Sequence, residues 1–218
     1  MTKNLKISLT IVGVFVLLVA ALLVVPRLAG GGDGPPASST AAPVRLDSHR
    51  LSSPPSSKVA FVEFLDFERE ACRSVYPAVE QLRAEYGDRV TFVVRYFPLP
   101  SHVNAERAAR AVEAASQQGR FEDMYKRMYE TQAEWGEQQV PMDERFRGYA
   151  ASMGLDMAAF DAAYDDPATL ERINADVADG QNMGVQGTPT FFVNGEKLEP
   201  QTYQDLTTAL DEALASTR

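Results

Sequence analysis

The chain has 218 residues, 45% of them hydrophobic, and a formal net charge of −9. That length allows one large or two small domains, and the acidity excludes nucleic acid and anionic lipid headgroups as natural partners. A single cysteine, Cys72, excludes an internal disulfide, so packing must hold the core unaided.

The first residues do not read as globular. Ile7–Val25 carries no charge, and a helix of that length spans roughly 28 Å, close to a bilayer's hydrocarbon thickness. Lys3 and Lys6 precede it and Arg27 follows, a bias that favours a cytoplasmic N-terminus and an exported remainder. A cleaved signal peptide is the competing reading. Its apolar run is shorter and ends in a small-residue site, whereas Pro26-Arg27-Leu28-Ala29-Gly30 is a poor one. The pattern therefore favours a single-pass anchor in the cell membrane. A buried core helix is the weakest reading, since nothing amphipathic interrupts the run. The expected organisation is an anchor at 1–27, a flexible linker with a candidate edge strand at 28–57, and a folded domain at 58–218. The linker is rich in Gly, Pro, Ser and Ala and cannot bury enough surface to fold. Its later part, V-R-L-D-S-H-R-L, alternates weakly as an edge strand would. Removing residues 1–43 takes away Lys3, Lys6, Arg27 and Asp33 and leaves 18 basic against 29 acidic residues.

Within the domain, Val59–Phe67 is almost wholly apolar, as a central strand covered on both faces should be. Glu70–Tyr86 is helical, with Val75, Val79, Leu82 and Tyr86 at spacings of three and four. Pro77 inside it should kink the helix or remove a backbone bond. Arg89–Phe97 is the second strong strand, so the first three elements form a parallel β-α-β unit. From about 104 to 183 the chain is Ala-rich and helical, with helices expected near Ala105–Gln118, Arg120–Trp135, Asp143–Met153, Met157–Tyr164 and Pro167–Met183. Asp166 should cap the last of these, with Pro167 in its first turn. Thr190–Val193 is a strand, Asn194-Gly195 a hairpin turn and Lys197-Leu198 its return. Gln201–Ser216 closes the chain as an amphipathic helix.

Three stretches carry chemistry. They are F-L-D-F-E-R-E-A-C-R-S-V-Y-P (64–77), R-Y-F-P-L (95–99) and G-V-Q-G-T-P-T-F-F-V-N-G (184–195). In this order around a helical block, they resemble the DsbA-like thioredoxin-fold thiol–disulfide oxidoreductases, from about Lys58 to the C-terminus. The resemblance implies an α/β thioredoxin-like fold, β-α-β then β-β-α, with the helical block as an inserted subdomain. It implies no bound cofactor, and it implies exported cysteine-containing proteins as partners. In that family the first helix opens with C-x-x-C, the first cysteine acting as nucleophile and the second as resolving thiol. Residue by residue, Cys72 falls at the resolving position and Arg69 at the nucleophile position. A chain with one thiol cannot cycle alone between dithiol and disulfide, so a partner protein or a low-molecular-weight thiol would have to supply the missing sulfur. Gly187-Thr188-Pro189 matches the family's cis-proline loop, which implies a cis Thr188–Pro189 bond and a Thr188 backbone free to pair with an extended peptide.

A thiol near a helix N-terminus gains from the helix dipole, and Arg69 three residues earlier adds to it, so a favoured thiolate is expected. Glu68 and Glu70 oppose this. Cys72 is read as an inert, half-covered residue, as a thiol that forms a mixed disulfide, or as a residue still serving full turnover. A redox-inactive module that keeps only the peptide groove is the rival for the whole domain, and a single-base change from a cysteine codon would also produce Arg69. His49 and His102, the only histidines, lie in no metal-binding pattern, and His102 reads as solvated or structural. Asp66 and Glu68 either adjust the thiol or cap the following helix. Phe121, Tyr125, Met128 and Tyr129 read as core, and Trp135 as partly exposed. There is no phosphate-binding glycine loop and no G-x-S-x-G.

Overall fold

Seven consecutive residues, Val59–Leu65, form the central strand β2, and six of them are buried because both sheet faces are covered. The computed structural model describes residues 43–217. The anchor expected at 7–25 lies outside the described residues, and among those described no helix is long and apolar enough to cross a membrane.

The strands are β1 (His49–Ser52), β2, β3 (Val90–Tyr96), β4 (Thr190–Val193) and β5 (Glu196–Leu198), in the order β1-β3-β2-β4-β5. The pair β2–β3 is parallel, from Val59 beside Val90 to Leu65 beside Tyr96. The other pairings are antiparallel. The helices are α1 (Glu70–Tyr86), α2 (Ala105–Ser116), α3 (Phe121–Glu130), α4 (Gln132–Trp135), α5 (Asp143–Ser152), α6 (Met157–Asp165), α7 (Pro167–Asn182) and α8 (Tyr203–Ser216). This is the mixed α/β thioredoxin-like arrangement, with α2 to α7 inserted between its halves.

One sheet face packs Phe61, Leu65, Phe92 and Tyr96 against Val79 and Leu82 of α1, Leu210 of α8 and the insertion. The other packs Val62, Phe64, Val93 and Phe192 under Val177 of α7. Gly180 allows that second approach, since a Cβ there would stand 2.9 Å from the Phe97 ring. A buried ion cluster ties the same helix to the sheet. Arg95 is fully buried. Its Nε donates to Asp176 (2.6 Å), its Nη2 to Asp179 (2.6 Å) and its Nη1 to the Pro43 carbonyl (2.9 Å).

Asp166 caps α7 by accepting from the Ala168 N–H at 2.9 Å, and Asn194 (φ 50°) and Gly195 (φ 90°) turn the β4–β5 hairpin. The weak alternation before Ser53 does become an edge strand, antiparallel to β3. The helix expected at Arg120–Trp135 is broken at Thr131, whose hydroxyl bonds back to the Arg127 carbonyl at 2.7 Å. Beyond the break the chain turns inward, and Trp135 is wholly buried against Phe146 rather than partly exposed.

Candidate functional site at the start of the first helix

The site grows from the end of β2. The chain leaves the sheet at Asp66, turns through Phe67 and Glu68, and enters α1 after Arg69, which is extended (φ −72°, ψ 124°) and makes no side-chain cap bond. Two buried carboxylates hold this turn. Asp66 accepts the Glu68 N–H (2.8 Å) and the Leu99 N–H (3.0 Å), and lies 2.6 Å from His102 Nδ1. Glu68 reaches into the insertion and accepts the N–H groups of Asn104 (2.6 Å) and Glu137 (3.0 Å). Gln132 reaches back, its side-chain amide donating to the carbonyls of Phe67 (2.6 Å) and Arg69 (3.0 Å). So Asp66 and Glu68 cap no helix; they brace the turn. His102 is structural, through its bond to Asp66.

Cys72 points inward from the first turn of α1 and has no exposed surface. Burial, above all, pushes its thiol up to about 12, and the nearby Glu63 carboxylate adds to the shift. The Asp66 backbone and the Thr188 hydroxyl pull it back only partly. Thr188 acts from close by without a well-formed hydrogen bond, since its oxygen finds no partner of good geometry. The favoured thiolate expected for Arg69–Cys72 is thereby corrected: desolvation outweighs the helix end, and the thiol stays protonated at neutral pH. Cys72 is also more covered than the half-buried residue expected.

The Thr188–Pro189 bond is cis, as expected. Thr188 is 4% exposed, and its N–H and C=O make no hydrogen bond among the described residues. Thus Thr188 lies against the Cys72 thiol, and Arg69 stands just before α1, its carbonyl accepting the Cys72 N–H at 3.1 Å. Beyond Pro189 runs a groove of 430 Å³ with an apolar wall of Val75, Ala78, Leu198, Tyr203 and Leu206. Among the described residues no His, Cys, Asp and Glu group is disposed to hold a metal.

The sequence reading missed Glu63. It is 3% exposed in the middle of β2, and burial, with help from the Glu80 charge, pushes its carboxyl up to about 8. The signal was present, since one acid interrupts V-A-F-V-E-F-L. Below about pH 4.5 the carboxyl is protonated in both folded and unfolded chains. Between there and pH 8 only the unfolded chain releases the proton, so stability falls as pH rises and the loss is complete above 8. Glu63→Gln should remove that fall. Urea unfolding of the two proteins should diverge by up to about 4 kcal/mol between pH 5 and pH 9, in favour of the variant. Parallel pH curves would contradict the assignment.

Comparison with known proteins agrees with this geometry. A family profile described as Thioredoxin matches residues 53–212. A curated Na(+)/H(+) antiporter NhaA of Herminiimonas arsenicoxydans is 36% identical over 171 residues, which is 78% of this chain and 26% of that protein. The chain thus spans about a quarter of the length of the curated relatives it matches. Among solved structures, a thioredoxin-like oxidoreductase from Silicibacter pomeroyi DSS-3 is similar at 25% identity and a TM-score of 0.66, over 81% of this chain and 98% of that one. The thiol-disulfide exchange protein alpha-DsbA2 from Wolbachia pipientis is similar at 21% identity and a TM-score of 0.63, over 74% and 84%.

Proposed function

Because the chain belongs to the thioredoxin family, with the DsbA-like thiol–disulfide oxidoreductase fold, we propose that it docks extended segments of exported, cysteine-containing polypeptides along Thr188-Pro189 and the adjoining groove. The stretch at 7–25 holds this domain on the extracytoplasmic side of the cell membrane. The observation that carries the reading is an open groove and an unpaired Thr188 backbone beside a thiol that is closed off. Docking by an added strand needs only backbone groups and side-chain pockets, and both remain. Turnover needs an exposed thiolate and a second thiol; Arg69 stands where the exposed one would be. The domain is therefore a peptide-docking member of an oxidoreductase class, without redox turnover of its own.

A labelled, extended nonapeptide with serine in place of cysteine should bind, read by fluorescence anisotropy. Ala78→Lys, at a partly exposed helical position lining the groove, should weaken it about tenfold by placing a charge against the apolar wall. No binding, or binding indifferent to that change, would remove the reading.

One observation favours a second reading, a mixed disulfide through Cys72: the Thr188 hydroxyl and the Asp66 backbone both ease the thiol towards ionisation. In that reaction the Cys72 sulfur attacks a partner's disulfide, or that of a low-molecular-weight thiol, one S–S bond forms and the other sulfur leaves as thiolate. Iodoacetamide at pH 8 decides between them. A thiol at about 12 should label roughly a thousandfold more slowly than an ordinary cysteine until the chain is unfolded. Fast labelling of the folded protein would favour the covalent route.

A further inference from the structure

Arg69 and Arg73 are unusual in this acidic chain, because neither has a partner among the described residues. The other described arginines all do. Most face a carboxylate within ion-pair distance, as Arg83 faces Glu80 and Arg147 faces Asp161. Arg50 donates to backbone carbonyls and Arg127 lies over the Tyr149 ring. In a protein of net charge −9, two cations left without a carboxylate at one place are a feature to explain.

Arg69 opens α1 at the candidate site, and Arg73 lies one turn further on. Arg69 is the residue before α1, and the Arg73 N–H donates to the Arg69 carbonyl at 3.2 Å, so the two side chains leave the same side of the helix one turn apart. Arg73 is exposed and Arg69 half-buried. The Arg69 Nε is a buried donor without an acceptor, a state that costs free energy until something supplies one. Against the Cys72 thiol, the Thr188 oxygen is likewise buried and without a well-formed hydrogen bond. The nearby acids do not neutralise the pair. Glu68 is turned into the insertion and bound by two backbone N–H groups, and Glu70, exposed on the same turn, pairs with neither arginine.

We propose that Arg69 and Arg73 form a recognition point for a carboxylate side chain on an extended polypeptide docked at Thr188. The inference rests on the docking reading above and names the chemistry of its partner: an acidic residue at the position that would face the first residue of the motif. A guanidinium offers paired donors to a planar carboxylate, and the second arginine adds a charge. Position 69 has then exchanged a covalent contact for an ionic one.

The test uses two labelled extended nonapeptides that differ only in a central Glu or Gln, with binding read by anisotropy at low and moderate salt. The Glu peptide should bind about five- to tenfold more tightly. That preference should shrink as salt rises and vanish in the double variant Arg69→Gln/Arg73→Gln, and Arg69→Lys should keep only part of it. Equal binding of both peptides, sensitive to Ala78→Lys, overturns this inference and leaves the docking reading standing. A Glu preference that survives the double variant also overturns it. Failure of both peptides to bind overturns the docking reading and this inference together.

Discussion

Arg69→Cys should raise catalysis of insulin reduction by dithiothreitol at least about a hundredfold above the parent. A thiol introduced at that position would open α1, half-exposed, with the helix N-terminus favouring its thiolate. Residues three apart at a helix start lie within the span that a disulfide bridges, so Cys72 would become its resolving partner. Thr188-Pro189 would present the substrate backbone beside both sulfurs. Above about pH 8, where its own carboxyl ionises, Glu63 is close enough to act on the Cys72 thiol and takes that thiol's proton as it attacks. A further Glu63→Gln change should then slow the resolving step and shift its pH dependence. A variant that forms its internal disulfide in a glutathione buffer yet stays inactive would show that docking is deficient. A variant that forms none would show that the likeness to working oxidoreductases stops at the fold.

Arg95→Met should have the largest effect on stability, lowering it by about 3–5 kcal/mol in urea unfolding. The guanidinium is fully buried and shared between Asp176 and Asp179. Removing it leaves the Asp176 carboxylate, itself wholly buried, with only Arg172 at 2.7 Å and the Tyr96 N–H at 3.0 Å. The cost is that of a buried charge with too few partners, more than the lost attraction. A double variant, Arg95→Met/Asp176→Leu, should therefore recover part of the loss, since a well-packed apolar pair needs no compensation. If the double variant loses as much stability as the two single variants added together, the cluster is not acting as one unit.

The elements around the site were legible because each announces itself locally. Val59–Leu65 and Val90–Tyr96 are apolar runs of strand length, Glu70–Tyr86 has helical spacing, and Asn194-Gly195 is a turn chemistry few residues share. The pairing of Thr188-Pro189 with Cys72 came from the motifs, since no local rule joins positions so far apart in sequence. What stayed hidden was set by packing between distant segments. The state of the Cys72 thiol depends on how completely β2, the cis loop and the insertion exclude water, and the helix-end rule that predicted a thiolate ignores that. Glu63 was passed over as one polar residue in an apolar strand. Trp135 looked like a loop residue until Thr131 turned the chain inward, and the bracing roles of Glu68 and Gln132 depend on a helical block more than 30 residues away.

That bracing limits how the protein can move. Glu68 grips Asn104 and Glu137, while Gln132 grips Phe67 and Arg69 from the opposite direction. Asn104 in turn secures the stretch from Gln138 to Met142. The helical block cannot swing aside like a lid without breaking these hydrogen bonds, so it and the turn that carries Arg69 form one rigid frame. On the docking reading, a guest would therefore have to fit this fixed frame as an extended segment, since the frame does not open to admit a folded one.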